Sequence, residues 1–213
     1  FDKIEIDCVF PVLHGRNGED GTIQGLCQMA GIPFVGCDMT SSAVGMDKEF
    51  THAICEYAGI KTAPFIVAVN SSRLNVKKLY DEAYEKFSLP MFIKPANNGS
   101  SLGTSKVRNY DEFEKGIMEA LQYDSKAVVE KAIEGFEIGC AVVGNDELTI
   151  GEVDEIDTKN DFFDYVEKYS QKNSKIYCPA RISDDLKKKA KQVAEKTYRA
   201  MGCKGMTRVD MFL

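Results

Sequence analysis

Lys94 ends an apolar run, "MFIKP", and is followed by "NNGSSLG" (97–103), a string of small residues. The N–H groups and hydroxyls around Gly99, Ser100 and Ser101 can turn toward phosphate oxygens as an anion nest. The string lacks the lysine of a P-loop and is flanked by strand-like runs, so it is neither that motif nor a dinucleotide fingerprint. Alone it reads as a surface turn. A lysine at the end of an apolar strand, where a solvated one is out of place, moves the reading toward phosphate. "VVEKAIEGFE" (128–137) sets Glu130, Lys131 and Glu137 about a strand crossing, where carboxylates could accept from a nucleotide's amine and ribose hydroxyls. A charged hinge is the plainer alternative. In "TRVDMFL", Arg208 and Asp210 stand two apart and so share one face of a strand, a pairing suited to an anionic transition state and a metal, or simply to solvent. "FFDYVEKY" (162–169) ends a polar stretch on Lys168 and Tyr169, and its length suits either a lid or a packed loop.

Other charged groups carry less. "HGRNGEDG" (14–21) packs a histidine, an arginine and two carboxylates among three glycines, but no spacing gives His14 a nucleophile to activate. Lys187, Lys188, Lys189 and Lys191 fall on the solvent side of a helix, and His52 sits on a helix with no metal-ligand pattern around it.

These groups need elements to hold them. The run 6–13 reads as a buried parallel strand, and "IPFVG" (32–36) as a second, with a helix over 22–30 between them that exits at Gly31. The spacing predicts a helix from about Asp47 to Gly59 with Phe50, Ala53, Ile54 and Tyr57 inward. Then come a strand at 65–69, a helix at 75–87, strands at 91–95 and 104–107, and a helix capped by the Asn109/Glu112 box. A strand at 126–131 is followed by a hairpin turning at Gly144 and Asn145, and by a helix from Ser183 to Gly202 with Leu186, Ala190, Val193, Thr197 and Met201 inward. The class is mixed α/β (α+β). The 213 residues bury a real core, and a formal charge of −6 argues against nucleic acid or a membrane surface as partner. Seven scattered cysteines without a C-x-x-C pair read as reduced core residues of a cytoplasmic protein. The chain opens on Phe1 and stops within a strand-like alternation, which reads as a fragment.

Taken in order, "HGRNGEDGTIQG", "MDK" (46–48), "FIKPANNGSSLGTSKV", "VEKAIEGFEIGCAV", "FFDYVEKY" and "RVDM" resemble the D-alanine:D-alanine ligases of the ATP-grasp superfamily over essentially the whole chain. The resemblance implies an ATP-grasp fold preceded by the end of a βαβ N-terminal domain. Residues 1–47 would belong to that substrate domain, 48–136 to the central ATP-grasp subdomain and 137–213 to the C-terminal one. It places His14 at the first D-alanine, Glu19 as the residue that orders its loop, and Lys48 and Lys94 on the ATP phosphates. Gly99, Ser100 and Ser101 would fold over those phosphates, with Glu130, Lys131 and Ile133 at adenine and Glu137 at ribose. Lys168 and Tyr169 would be lid residues at the transferred phosphate, Arg208 the oxyanion partner and Asp210 a ligand of magnesium or manganese. Glycines in 14–21 let charged backbone approach a small ligand.

The implied reaction makes an acyl phosphate from ATP and D-alanine, which a second D-amino acid then attacks. Ordinary ligases of this family carry Phe-Tyr-Asp-Tyr in the lid, whereas Phe163 stands second here, and Asp154 precedes the lid. That pair resembles the D-alanine:D-serine ligases of the VanG vancomycin-resistance type, so Asp154 and Phe163 would shape a pocket for D-serine. The ordinary D-alanine:D-alanine ligase and a non-catalytic nucleotide-binding ATP-grasp module are the alternatives. Relatives' assemblies imply a homodimer. The family's glycine-rich N-terminal strand and the magnesium ligands beyond Asp210 are missing, so the chain alone is not expected to turn over.

Overall fold

The computed structural model describes residues 5–99, 101–158 and 174–213. Alternation in β2 (Met91–Pro95) decides how the first sheet is used: Met91 and Ile93 point into a core, which puts Phe92 and Lys94 on the other face. β2 pairs antiparallel with β3 (Ser105–Val107) and β4 (Lys126–Lys131), and β4 pairs with β1 (Phe65–Val69), giving the order β1-β4-β2-β3. Helices α4 (Val76–Phe87) and α5 (Tyr110–Tyr123) close the core face with Ala83, Phe87, Phe113, Ile117 and Ala120. The expected capping box starts α5: Asn109 accepts from the Glu112 N–H, and Glu112 accepts in return from the Arg108 N–H.

The second sheet is also antiparallel. Its order is β7-β6-β5-β8, from β5 (Glu137–Gly144), β6 (Leu148–Thr158), β7 (Ser174–Tyr177) and β8 (Gly205–Phe212). Helix α6 (Asp184–Ala200) covers one face through Ala190, Ala194 and Tyr198 against Ile138, Cys140, Val142 and Val153. The buried Tyr198 hydroxyl donates to the Gly144 carbonyl at 2.7 Å, tying the helix to the hairpin turn. The open face carries Glu137, Gly139 and Asp154 together with Arg208 and Asp210; Gly139 is in register with both Asp154 and Asp210, while Glu137 pairs with Phe212 and Arg208 with Ala141.

Before these sheets, α1 (Thr22–Ala30) and α2 (Met39–Met46) lead into α3 (Lys48–Tyr57). Several expectations are corrected here. The runs at 6–13 and 32–36 meet in one parallel bridge, Val9 to Phe34, and leave Ile6, Phe10, Val12 and Leu13 exposed. Among the described residues no further strand pairs with either segment, so their faces are not both covered. Helix α2 was not expected, because "MTSSAVGM" has no apolar period; Asp38 starts it by accepting from the Ser41 N–H. In α3 the buried side carries His52 and Cys55, while Phe50 and Tyr57 face outward. In α6, Val193 is exposed and Tyr198 is the buried anchor, and Lys187 and Lys191 are half-buried rather than solvated. All seven cysteines are free; Cys8 and Cys178 are exposed and so are not core residues. Among the described residues no helix is long and apolar enough to cross a membrane.

Removing the Tyr198 hydroxyl isolates one interaction. Tyr198→Phe is expected to lower unfolding stability by about 1 kcal/mol in urea titration, the scale of one net hydrogen bond. An unchanged midpoint would show that the bond to Gly144 adds nothing.

Candidate active site

Glu130 is 5% exposed, an unusual place for a carboxylate, and both of its oxygens are engaged. Lys94 donates to Oε2 at 2.5 Å and the His52 ring nitrogen Nε2 lies 3.1 Å from Oε1. The pleat explains the first contact: Phe92 opposes Glu130 in the ladder, so Lys94, two residues along, is its diagonal neighbour on the same face. Helix α3 supplies the second, with His52 stacked on Phe65, whose own register partner is Glu130. Burial pushes the Glu130 carboxyl up, but the Lys94 ammonium and the hydrogen bonds from His52 and Lys94 outweigh it and hold the group down at about 2.

Lys48 opens α3, and Asp47 before it caps the helix by accepting from the Glu49 and Phe50 N–H groups. The Asp47 carboxylate also meets Lys126 at 2.8 Å, and Glu49 meets the same ammonium at 2.5 Å. Burial opposes the Lys126 charge, yet these two carboxylates raise its pKa. So anchored, Lys48 sends its ammonium to the carbonyls of Pro95, Ala96 and Asn98, at 3.1, 3.5 and 2.7 Å, where the chain leaves β2. The loop that follows touches the first glycine-rich loop. A Cβ on Gly99 would lie 3.0 Å from Gly15 Cα and 3.7 Å from Glu19 Oε2, so glycine allows this close approach. Glu19 accepts from the Gly15 N–H, and His14 stands 4.0 Å from Glu19 with its ring largely in solvent.

A second group lies on the open face of the other sheet. Arg208 donates to both oxygens of Asp210, at 2.6 and 3.1 Å. The ion pair with Asp210 raises the Arg208 pKa against burial, with Asp154 and Glu137 adding negative charge. Asp154 lies directly over Gly139, where a Cβ would come 2.6 Å from its Oδ1. Among the described residues no group of three or more His, Cys, Asp or Glu side chains is placed to hold a metal ion. Asp210 could offer magnesium one hard ligand once Arg208 moves off its carboxylate, since that ion takes one or two carboxylates and fills its shell with phosphate and water.

Thus Lys48, Lys94, Gly99 and Glu130 gather with Glu19 and His14 around the first sheet, and Glu137, Asp154, Arg208 and Asp210 around the second. Lys131 and Ile133 are exposed just beyond Glu130, and Ser101 follows Gly99 with a left-handed φ of 58°. Ser100, Phe163, Lys168 and Tyr169 lie outside the described residues. Sequence reasoning missed His52, Asp47 and Lys126. Only Asp47 left a signal, as a capping residue just before a helix.

Comparison with known proteins bears on the family and the fold. The family described as "D-ala D-ala ligase C-terminus" matches residues 54–213, and "D-ala D-ala ligase N-terminus" matches 1–37. A D-alanine–D-alanine ligase of Acetivibrio thermocellus is 45% identical over 210 residues, covering 98% of this chain and 56% of its own length. The crystal structure of the VanG D-Ala:D-Ser ligase from Enterococcus faecalis superposes with a TM-score of 0.88 at 47% identity, over 100% of this chain and 61% of that one. The D-alanine-D-alanine ligase from Coxiella burnetii gives 0.83 at 31%, over 99% and 56%. The chain therefore spans little more than half the length of its relatives. The mixed α/β architecture with two antiparallel sheets is the ATP-grasp fold.

The depressed Glu130 carboxyl has a signed consequence. A lowered folded-state pKa contributes stability that is complete above the ordinary value of 4.5 and is lost as pH falls toward about 2. Glu130→Gln is thus expected to be less stable than the native chain at pH 6, with the gap narrowing by pH 3, in paired urea titrations. A gap independent of pH would contradict the charge pairing.

Proposed function

The chain belongs to the D-ala D-ala ligase family, and from that premise we propose that the full-length protein joins D-alanine to a second D-amino acid at the expense of ATP. One observation carries the reading: the loop 14–21 lies against the loop 97–103 at Gly15 and Gly99. A ligase that activates a carboxylate with ATP needs its carboxylate-binding loop beside its phosphate-binding loop, because the two reactants must meet in line.

In this reading Lys94 and Lys48 hold the triphosphate, the backbone around Gly99, Ser100 and Ser101 folds over it, and Glu130 to Ile133 and Glu137 take the nucleoside. His14, on the loop tied by Glu19, faces the first D-alanine. The D-alanine carboxylate attacks the γ-phosphorus, the bond to the β,γ-bridging oxygen breaks and ADP leaves, and the product is an acyl phosphate, a far better acyl donor. Arg208 holds the oxyanion that forms when the second amine attacks, and phosphate leaves. Magnesium at Asp210 would neutralise charge on the transferring phosphoryl group. Lys168 and Tyr169 close the site against water, which would otherwise hydrolyse the intermediate. The boundaries at residues 47 and 136 belong to this proposal; the connection 132–136 between the two sheets supports the second.

D-Serine is the second substrate we propose. Asp154 beside Arg208 and Phe163 in the lid would shape a pocket for a hydroxymethyl group, and the VanG D-Ala:D-Ser ligase is among the similar structures. The ordinary D-alanine:D-alanine ligase is favoured by the name of the 45% identical relative.

The full-length protein is expected to release phosphate from ATP only with D-alanine present, and to make D-alanyl-D-serine in preference to D-alanyl-D-alanine at neutral pH. Preference for D-alanine would leave the ordinary ligase, and D-alanine-independent hydrolysis would end the ligase reading. Arg208→Ala is expected to cut kcat about 100-fold or more, the loss typical of an oxyanion donor, in a coupled phosphate assay.

A further inference from the structure

His52 has no part in the reaction as described, yet it shares the buried carboxylate that holds Lys94. Its ring is 16% exposed, stacks on Phe65 with centroids 4.8 Å apart, and puts Nε2 3.1 Å from Glu130 Oε1. The other nitrogen, Nδ1, is buried with no hydrogen-bond partner among the described residues. That fixes the tautomer of the neutral ring. A proton on Nε2 satisfies the carboxylate and leaves a bare acceptor at Nδ1. A proton on Nδ1 would bury an unpaired donor and aim a lone pair at an anion. His52 is therefore a donor to Glu130, fixed in place by a helix that Asp47 caps and Lys126 braces.

We propose that His52 is a positioning residue for nucleotide binding: it fixes the rotation of the Glu130 carboxylate and shares its charge, so that Lys94 is presented to the ATP phosphates rather than drawn fully onto Glu130. The inference rests on the proposed role of Lys94. A carboxylate bonded through both oxygens cannot rotate, and the lysine on its far oxygen has a defined place. Without His52 one oxygen of this buried carboxylate loses its partner, and the Lys94 ammonium, already on the other oxygen, is placed to take up its charge. A long flexible stem lets Lys94 follow the carboxylate wherever it turns.

The test uses the full-length protein with a non-hydrolysable ATP analogue, measured by calorimetry, alongside turnover. His52→Ala is expected to weaken the analogue and raise KM for ATP about tenfold, the scale of one hydrogen bond to a charged group. The KM for D-alanine and kcat should stay within about threefold. His52→Gln, whose amide nitrogen occupies the place of Nε2, should recover most of the affinity. The proposal is overturned if His52→Ala binds the analogue as tightly as the native protein. It is equally overturned if Gln fails as badly as Ala and both lose the same thermal stability, since that marks a packing role alone. Analogue binding without D-alanine-dependent turnover would defeat the ligase reading, and the affinity series would still decide the role of His52.

Discussion

A charge carried into the interior of a sheet constrains everything near it. Glu130 sits where β4 is covered on both faces, and an unpaired carboxylate there would be expensive to ionise. Its two partners come from different elements, Lys94 from β2 and His52 from α3, so the pair of contacts sets both the strand register and the placement of the helix. Breaking either would strand a buried charge, which is strongly destabilising whatever the net contribution of the intact pair. With α3 so placed, Lys48 at its first turn reaches the carbonyls that end β2, and the loop carrying Gly99 leaves from there.

The Arg208–Asp210 pair is built to a different rule. Both side chains are about half exposed, at 51% and 46%, so their attraction is screened and the pair costs little to open. An arginine whose resting partner is weakly held can exchange it for a developing oxyanion. The buried pair around Glu130 is fixed before any substrate arrives, whereas the exposed one stays free to rearrange. In the proposed reaction that contrast would suit one sheet to a nucleotide and the other to changing charge.

Much of this was legible in the sequence wherever period and chemistry agree. Lys94 stood out as a lysine ending the apolar run "MFIKP", the Asn109/Glu112 spacing started α5, and Arg208 and Asp210 fell on one strand face as their spacing required. The failures share a cause. In α3 the apolar Phe50 and Tyr57 suggested the wrong inward face, because a helix that must satisfy a buried carboxylate turns its histidine inward and leaves large apolar groups outside. His52 was passed over because a lone histidine on a helix carries no pattern; its partner lies 78 residues away across a sheet. The opening apolar run misled likewise, since a strand's burial depends on neighbours that its own residues do not supply.

The central claim is that the Lys94 ammonium, held by Glu130, is the anchor for an ATP phosphate. Calorimetric titration of full-length Lys94→Met with the ATP analogue tests it most directly, checked for native circular dichroism. The expected result is a loss of affinity of tenfold or more, in keeping with removal of a charge-assisted contact to phosphate. A natively folded Lys94→Met that binds the analogue as the native protein does would contradict the account.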